Sequence, residues 1–441
     1  MALPIKFRFR RKDSSNKMNG WLALSPIFVF IGVYLVGAFL SHSFYTIPIT
    51  VPFILATVYS FAITHRYEST SKTVNIYSEG AGDQNVLLMI WIVILAGAFA
   101  GTNKDIGAID SIANIVKAYL PGRLFYFGMF IASCVISMAI GSNIGTVVAL
   151  VPIATGLAEG TNMSLPLLTA IVIGGGAFGD NLSFISDTTI AATSTLGCNM
   201  RDKFRANILI AGPAAIIVAI IYIIMGHSVD FVAQIGKIEW LTIIPYAATI
   251  IFAIMGVNVV TVLTIGTILN GILGIALGKY DMLGWMNAIG DGIAGINEMI
   301  IVFLLAGGML ELVRYNGGID FIVNKSLKHI NSKRGAELGL AALVSFATCC
   351  TANNTIAILT TGKIAKNVVN QYKLNPIKTA SILDTFSCLF QCTIPYGAHL
   401  LMASALAHAG TFAIIKCLYY PLVLGVVATL AILFRYPRKY S

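Results

Sequence analysis

Residues 165–197 read LPLLTAIVIGGGAFGDNLSFISDTTIAATSTLG. The stretch is apolar enough to cross a bilayer, which takes roughly 20 such residues. Yet its middle carries Asp180 and Asp187 with Ser183, Ser186, Thr188 and Thr189. A carboxylate at the centre of a membrane helix opposes insertion by about 2.5–3.5 kcal/mol, so two oppose it by about 5–7 kcal/mol unless paired, protonated or bound to a cation. That cost marks a working site. Gly174, Gly175, Gly176 and Gly179 precede Asp180 and are expected to weaken the helix there, while Ser and Thr hydroxyls can occupy backbone groups that a break releases. The stretch therefore reads as a broken helix.

Its surroundings agree with a membrane setting. The chain is 57% hydrophobic and 11% charged over 441 residues, with a mean hydropathy of +0.83, whereas a soluble domain carries about 25% charged residues. Apolar runs recur at 21–40, 45–64, 86–103, 165–197, 206–226, 241–258, 259–278, 298–313, 377–405 and 411–434. Regions 123–158 and 337–370 are each long enough for two helices or one re-entrant hairpin. The fold class expected is an all-α polytopic membrane protein. KFRFRRK at 6–12 precedes a first apolar run too long for a signal h-region, so that run is expected to stay as the first helix.

The net charge of +10 is explained by topology. If the chain starts in the cytoplasm and alternates sides, most of the 29 Lys and Arg residues fall in inside segments, including those at 201–205 and 363–378. Both termini are then cytoplasmic, in an inner (plasma) membrane of bacterial type, and no basic surplus is left for nucleic acid. The expected partners are the lipid bilayer, Na+ and H+, with a small organic solute and a homodimer compatible with the same reading. The seven cysteines lack metal-type spacing and read as small packing residues; no cofactor is expected.

Shifting the chain by 210 places aligns Gly97 with Gly307, Gly107 with Gly317, Ile109-Asp110 with Ile319-Asp320, Asn114 with Asn324, Asn143 with Asn353 and Pro166 with Pro376. Asp, Asn and Pro are scarce here, so these matches indicate an internal repeat. The units expected are 21–226 and 241–434, joined by a loop at 227–240 and flanked by basic termini at 1–20 and 435–441. Each holds about five crossings plus one long hairpin region. An odd number inverts the second unit relative to the first, which places broken helices and the working site near the midplane.

Carboxylate, hydroxyl and carboxamide oxygens are hard donors that suit hard cations. Asp180 and Asp187 would lie about 10.5 Å apart along an unbroken helix, and a break could bring them closer. A site that takes either a proton or Na+, but not both, can exchange the two. The candidate coupling site comprises Asp180 and Asp187, as the Na+ ligands, with Ser183, Ser186, Thr188, Asn143, Asn353 and Asp384; Thr393, Tyr396 and His399 are further candidates in the matching stretch of the second unit. Asn143 and Asn353 sit at the expected turns of the two long regions.

Enzyme readings fail on detail. An intramembrane aspartyl protease would need YD and GxGD, but Ala177 replaces the first Gly of AFGD at 177–180 and the Tyr280-Asp281 pair falls in an expected loop. No HExxH occurs, and Thr361-Gly362-Lys363 lacks the upstream Gly of a phosphate loop. A passive cation channel lined by the same oxygens is a minor alternative.

GDNLSFISDTT at 179–189 resembles the GDxxSPxSDTT signature of the NhaC-type sodium/proton antiporter family, within the wider ion-transporter superfamily. The resemblance extends to the asparagine turns and Ile394-Pro395-Tyr396. It implies an antiporter fold with a core transport domain, Asp180 and Asp187 in the coupling-ion site, and alternating access. The sequence departs from the pattern at Asn181, where many members carry Lys, and at Phe184, where Pro is usual. A lysine at 181 would supply an internal counter-charge. Relatives that exchange organic acids or amino acids make a solute exchanger of malate/lactate or amino-acid type the alternative to Na+/H+ exchange.

Overall fold

The computed structural model describes residues 18–40, 48–119, 121–159, 161, 163–184, 186–227, 237–255, 257–318, 321 and 332–440. The basic segment at 6–12, most of the 227–240 connection, and Ile319, Asp320 and Asn324 of the repeat lie outside them. The described residues are helical throughout, without a β-strand.

The first half contains α1 (Gly20–Leu40), α2 (Thr50–His65), α3 (Thr70–Ala81), α4 (Gln84–Ile106), α5 (Ala108–Tyr119), α6 (Phe125–Ile140), α7 (Asn143–Glu159), α8 (Leu165–Leu182), α9 (Asp187–Leu196) and α10 (Met200–Gly226). The second contains α11 (Trp240–Ile254), α12 (Val259–Ala276), α13 (Met282–Ala294), α14 (Asn297–Tyr315), α15 (Lys333–Thr351), α16 (Asn354–Tyr372), α17 (Pro376–Thr393), α18 (Ala398–Ala407), α19 (Thr411–Ile415) and α20 (Tyr419–Leu433). Both long regions resolve into helix pairs, α6–α7 and α15–α16. Six described stretches are long and apolar enough to cross a membrane, or seven if α13 and α14, bent by 42°, form one broken span. The runs expected at 45–64, 241–258 and 411–434 contain shorter helices.

The expected break is present, but one turn later than the glycines suggest. Helix α8 runs unbroken through Gly174–Gly179 to Leu182; Ser183 (φ −67, ψ 140) leaves helical geometry and Ser186 (φ −67, ψ 136) caps α9. The glycines serve packing instead. A Cβ on Gly175 would stand 2.4 Å from Ser133 Cβ, and one on Gly179 would stand 2.3 Å from Ser137 Cβ, so α8 lies directly against α6. Small residues one turn apart permit this approach, and Ser137 Oγ donates to Gly176 O at 2.6 Å across it.

The second half repeats the pattern. Helix α17 ends at Ile394 (φ −76, ψ 127), and Gly397 (φ −74, ψ 144) opens α18. From α7 onward the element starts recur at 211 residues, one more than the sequence match suggests: Asn143 with Asn354, Leu165 with Pro376, Asp187 with Ala398. The left-handed helix ends Gly141 and Ala352 obey the same shift, as do Gly197 and His408. Packing is reciprocal as well. Helix α3 lies on α14 while α13 lies on α4, and α9 lies on α16 while α18 lies on α7. Glycines make the first exchange possible, with Gly80 against Gly307 and Gly97 against Gly292.

Helices α1–α4 and α11–α14 pack chiefly among themselves, as do α6–α10 with α15–α20. Both broken helices belong to the second group. Its core is buried and apolar, with Ile171, Val172, Leu383, Leu400 and Met402 inaccessible. The polar residues of the two breaks are set into that core.

Candidate ion-coupling site

Asp180 occupies the last turn of α8 and is 6% exposed. Ser186, the N-cap of α9, would ordinarily accept from the helix it opens. Its hydroxyl instead donates to Asp180 Oδ1 at 2.6 Å and lies 2.9 Å from Thr188 Oγ1. The Cys388 thiol, from α17, donates to Asp180 Oδ2 at 3.7 Å. Among the described residues no lysine or arginine pairs with Asp180. The carboxylate therefore sits at the junction of the C-terminal end of α8 and the N-terminal end of α9, with hydroxyl and thiol donors but no ion-paired lysine or arginine among the described residues; the Lys203 ammonium acts on it from its place on Asp384.

Asp384, in the middle of α17, is fully buried and differs in that respect. Lys203 Nζ, itself 1% exposed, pairs with Asp384 Oδ2. The ammonium also donates to Asn181 O at 2.6 Å and to Thr189 Oγ1 at 2.9 Å. Its three N–H donors thus meet three oxygens, and one of these is a carbonyl at the end of α8 that lacks a helical partner. Asn207, one turn along α10, donates to the same Asn181 carbonyl at 2.8 Å and to Asn181 Oδ1 at 2.7 Å. Ser381 and Thr385 hydroxyls donate to Asn207 Oδ1 at 2.7 and 2.9 Å. Cys388 joins the two carboxylates, 3.3 Å from Asp384 Oδ1 and 3.7 Å from Asp180 Oδ2.

Two basic residues assigned to inside segments are buried in ion pairs. Lys203 belongs to the buried network, and Lys378 pairs with Glu337 at 2.9 Å with side chains 2% and 7% exposed. The absence of Lys at 181 is also offset: Lys203 reaches the Asn181 carbonyl from α10.

The structure brings together Asp180, Ser186, Thr188 and Asp384 of the expected set. Asn143 joins through α17, its Nδ2 donating to Cys392 Sγ at 3.2 Å, while its Oδ1 is buried without a hydrogen-bond partner beside Gly176. The second-half equivalent of Asn143 is Asn354, which lies 3.7 Å from Cys388 Sγ. Asn353 instead caps α16, accepting from Ile356 N at 2.9 Å. Ser183 donates to Met138 O at 2.9 Å, Thr393 bonds back to Leu389 and Phe390 carbonyls, and Tyr396 donates to Cys349 O at 2.8 Å. Asp187 is exposed in the first turn of α9. His399 is buried beside the Gln391 backbone, with Nδ1 unpaired, as is Gln391 Oε1.

Lys203, Asn207, Thr385, Cys388 and Gln391 were not expected in the site. Lys203 and Asn207 stand four apart on a helix, so one face of the otherwise apolar α10 is polar at consecutive turns; that signal was hidden by Arg201 and Arg205 beside it. Gln391 is the 211-shifted counterpart of Asp180, so the second break carries a neutral amide where the first carries a carboxylate.

Comparison with known proteins gives the family of the chain. The malate-2H(+)/Na(+)-lactate antiporter of Bacillus subtilis (strain 168) is 21% identical, with 95% of each chain covered. The Na(+)/H(+) antiporter NhaC of the same organism is 24% identical over 89% of this chain and 93% of that protein. The arginine/ornithine antiporter ArcD of Halobacterium salinarum is 24% identical over 74% of this chain and 73% of that one. Among solved structures, the YdaH transporter of Alcanivorax borkumensis matches with a TM-score of 0.42 and 12% identity, covering 88% of this chain and 99% of that chain. The model of the Na+/H+ antiporter family matches residues 17–227 and again 229–436. The chain is an integral membrane protein and belongs to the Na+/H+ antiporter family.

Proposed function

We propose that this chain exchanges Na+ for H+ by alternating access, with Asp180 as the group that holds the two ions in turn. One observation carries the reading: Asp180 is buried at a helix break and has no ion-pair partner among the described residues. A bare carboxylate in such a place is strongly disfavoured, so it is stable only with a proton or a cation bound. Proton and Na+ then exclude one another at the same oxygens. Hydroxyls of Ser186 and Thr188 and the unpaired Asn143 Oδ1 supply further hard donors. Asp187, exposed one short break away, draws cations towards the site by its charge.

The reciprocal packing of the two halves and the match of one family model to each support inverted units at about 21–226 and 241–434. In this reading the group containing both broken helices moves against the group formed by α1–α4 and α11–α14, with both termini on the cytoplasmic side.

A second reading has one specific support: the relative named as a malate-2H(+)/Na(+)-lactate antiporter matches over almost the whole chain. An organic acid would then travel with the ions.

The test is exchange in proteoliposomes with an imposed pH gradient. Added Na+ alone is expected to dissipate the gradient, and Asp180→Asn, which can neither bind a proton nor offer Na+ a charge, to abolish that flux. Flux that requires malate or lactate would establish the second reading; Na+-driven flux that persists in Asp180→Asn would remove Asp180 from the mechanism.

A further inference from the structure

We infer that Lys203 is a built-in cation that permanently fills the Asp384 site and so fixes at one the number of Na+ ions this chain binds; the inference rests on the Asp180 reading. The two carboxylates are neighbours through one thiol, Cys388, which lies 3.7 Å from Asp180 and 3.3 Å from Asp384. They are not equivalent. Asp384 holds an ammonium whose three donors are all engaged, by Asp384, Thr189 and Asn181. Asp180 holds none. Two carboxylates and one ammonium leave one negative charge, which one monovalent cation neutralises. Of the other titratable groups around the pair, Cys388 and Cys392 are buried thiols and His399 lies beside the Gln391 backbone; the Asp187 charge reaches Asp180, but its side chain is exposed on α9 and stands outside the buried pair that the count concerns.

The Lys203 ammonium also resembles a bound cation in its ligands. It takes a carboxylate, a hydroxyl and a backbone carbonyl from three helices, the oxygen types that hold a hard ion. Thr189 Oγ1 lies 3.2 Å from Asp384 Oδ2, so two of these oxygens remain adjacent without the lysine. Removing the ammonium leaves a cluster of preformed oxygen ligands around an uncompensated carboxylate.

The experiment counts 22Na+ bound per purified chain at saturation and measures the Hill coefficient of Na+-driven proton flux. The expected counts are about one for wild type and Lys203→Arg, about two for Lys203→Gln, and about one again for Lys203→Gln with Asp384→Asn, the flux coefficients following the number of sites. A count near one for Lys203→Gln, with wild type also near one, overturns the inference and leaves the Asp180 reading intact. One ion on Lys203→Gln and none on wild type removes the Asp180 reading and overturns the count of one that rests on it. None on either overturns both. If Lys203→Gln does not fold in choline, its recovery in Na+ supports the inference; failure in both salts, while the double variant folds, overturns it.

Discussion

At the scale of single residues, the decisive contrast is between Asp180 and Asp384, two buried carboxylates a thiol apart of which only one holds a lysine. Breaking a buried ion pair by removing one partner costs about 3–5 kcal/mol, because the other charge is left uncompensated. Asp384 and Lys203 therefore read as a matched unit, and Asp180 as the position free to take an ion. Asp187 illustrates the limit of a sequence motif. The spacing of the two aspartates invites a shared site, yet the break turns Asp187 to an exposed position in the first turn of α9. There it adds negative charge to the approach to the site and complements the helix N-terminus. Asp187→Asn is accordingly expected to raise the KM for Na+ by about two- to tenfold while kcat stays within about a factor of two, an electrostatic-steering effect. Steady-state flux against Na+ concentration checks it; a collapse of kcat would place Asp187 in the site itself.

At the scale of elements, the site depends on how closely α8 can approach α6. Gly179 precedes Asp180, and a Cβ there would stand 2.3 Å from Ser137 Cβ and 2.5 Å from Met138 N. Overpacking of this kind costs about 1–3 kcal/mol and shifts the backbone that bears it. Gly179→Ala should therefore lower both thermal stability and Na+ affinity, whereas Gly212→Ala on α10, whose nearest contact would be Ile208 at 3.7 Å, should leave both near wild type. The broken helix was legible because the polar residues interrupt an apolar run. Its exact place was not, since glycine both weakens a helix and lets one pack closely, and composition does not separate the two uses. Helices α3 and α13 are not legible in the sequence because neither is a long apolar run; their glycine contacts with α14 and α4 are what mark them as packed helices. Lys203 was hidden differently. Among Arg201, Asp202 and Arg205 it resembled a solvated loop, and only the helix phase that pairs it with Asn207 separates it from them.

At the scale of the whole molecule, the repeat visible in a few Gly, Asn and Pro matches corresponds to reciprocal packing of helices between halves. Sequence matching placed the register one residue short after α6, which is why Asn353 was expected where Asn354 stands. Alternating access adds a mechanical requirement: the group holding both breaks must move against the other. Tyr34 of α1 stacks on Phe412 of α19 across that boundary, with ring centroids 4.4 Å apart. Phe61 and Tyr77, 5.2 Å apart, pack α2 on α3 within one group. A short bifunctional thiol cross-link between Tyr34→Cys and Phe412→Cys is expected to arrest exchange, and one between Phe61→Cys and Tyr77→Cys to leave it running. Equal inhibition by both would contradict motion at that boundary.

The central claim is that Na+ and H+ compete for Asp180. It is tested most directly by titrating Na+ into purified protein by calorimetry across a series of pH values. Competition at one carboxylate predicts that each unit of acidification below the point where the proton takes over weakens apparent Na+ binding by about tenfold. Asp180→Asn should bind no Na+ at that site at any pH. Na+ binding that ignores pH, or that survives in Asp180→Asn with the same pH dependence, would contradict the account.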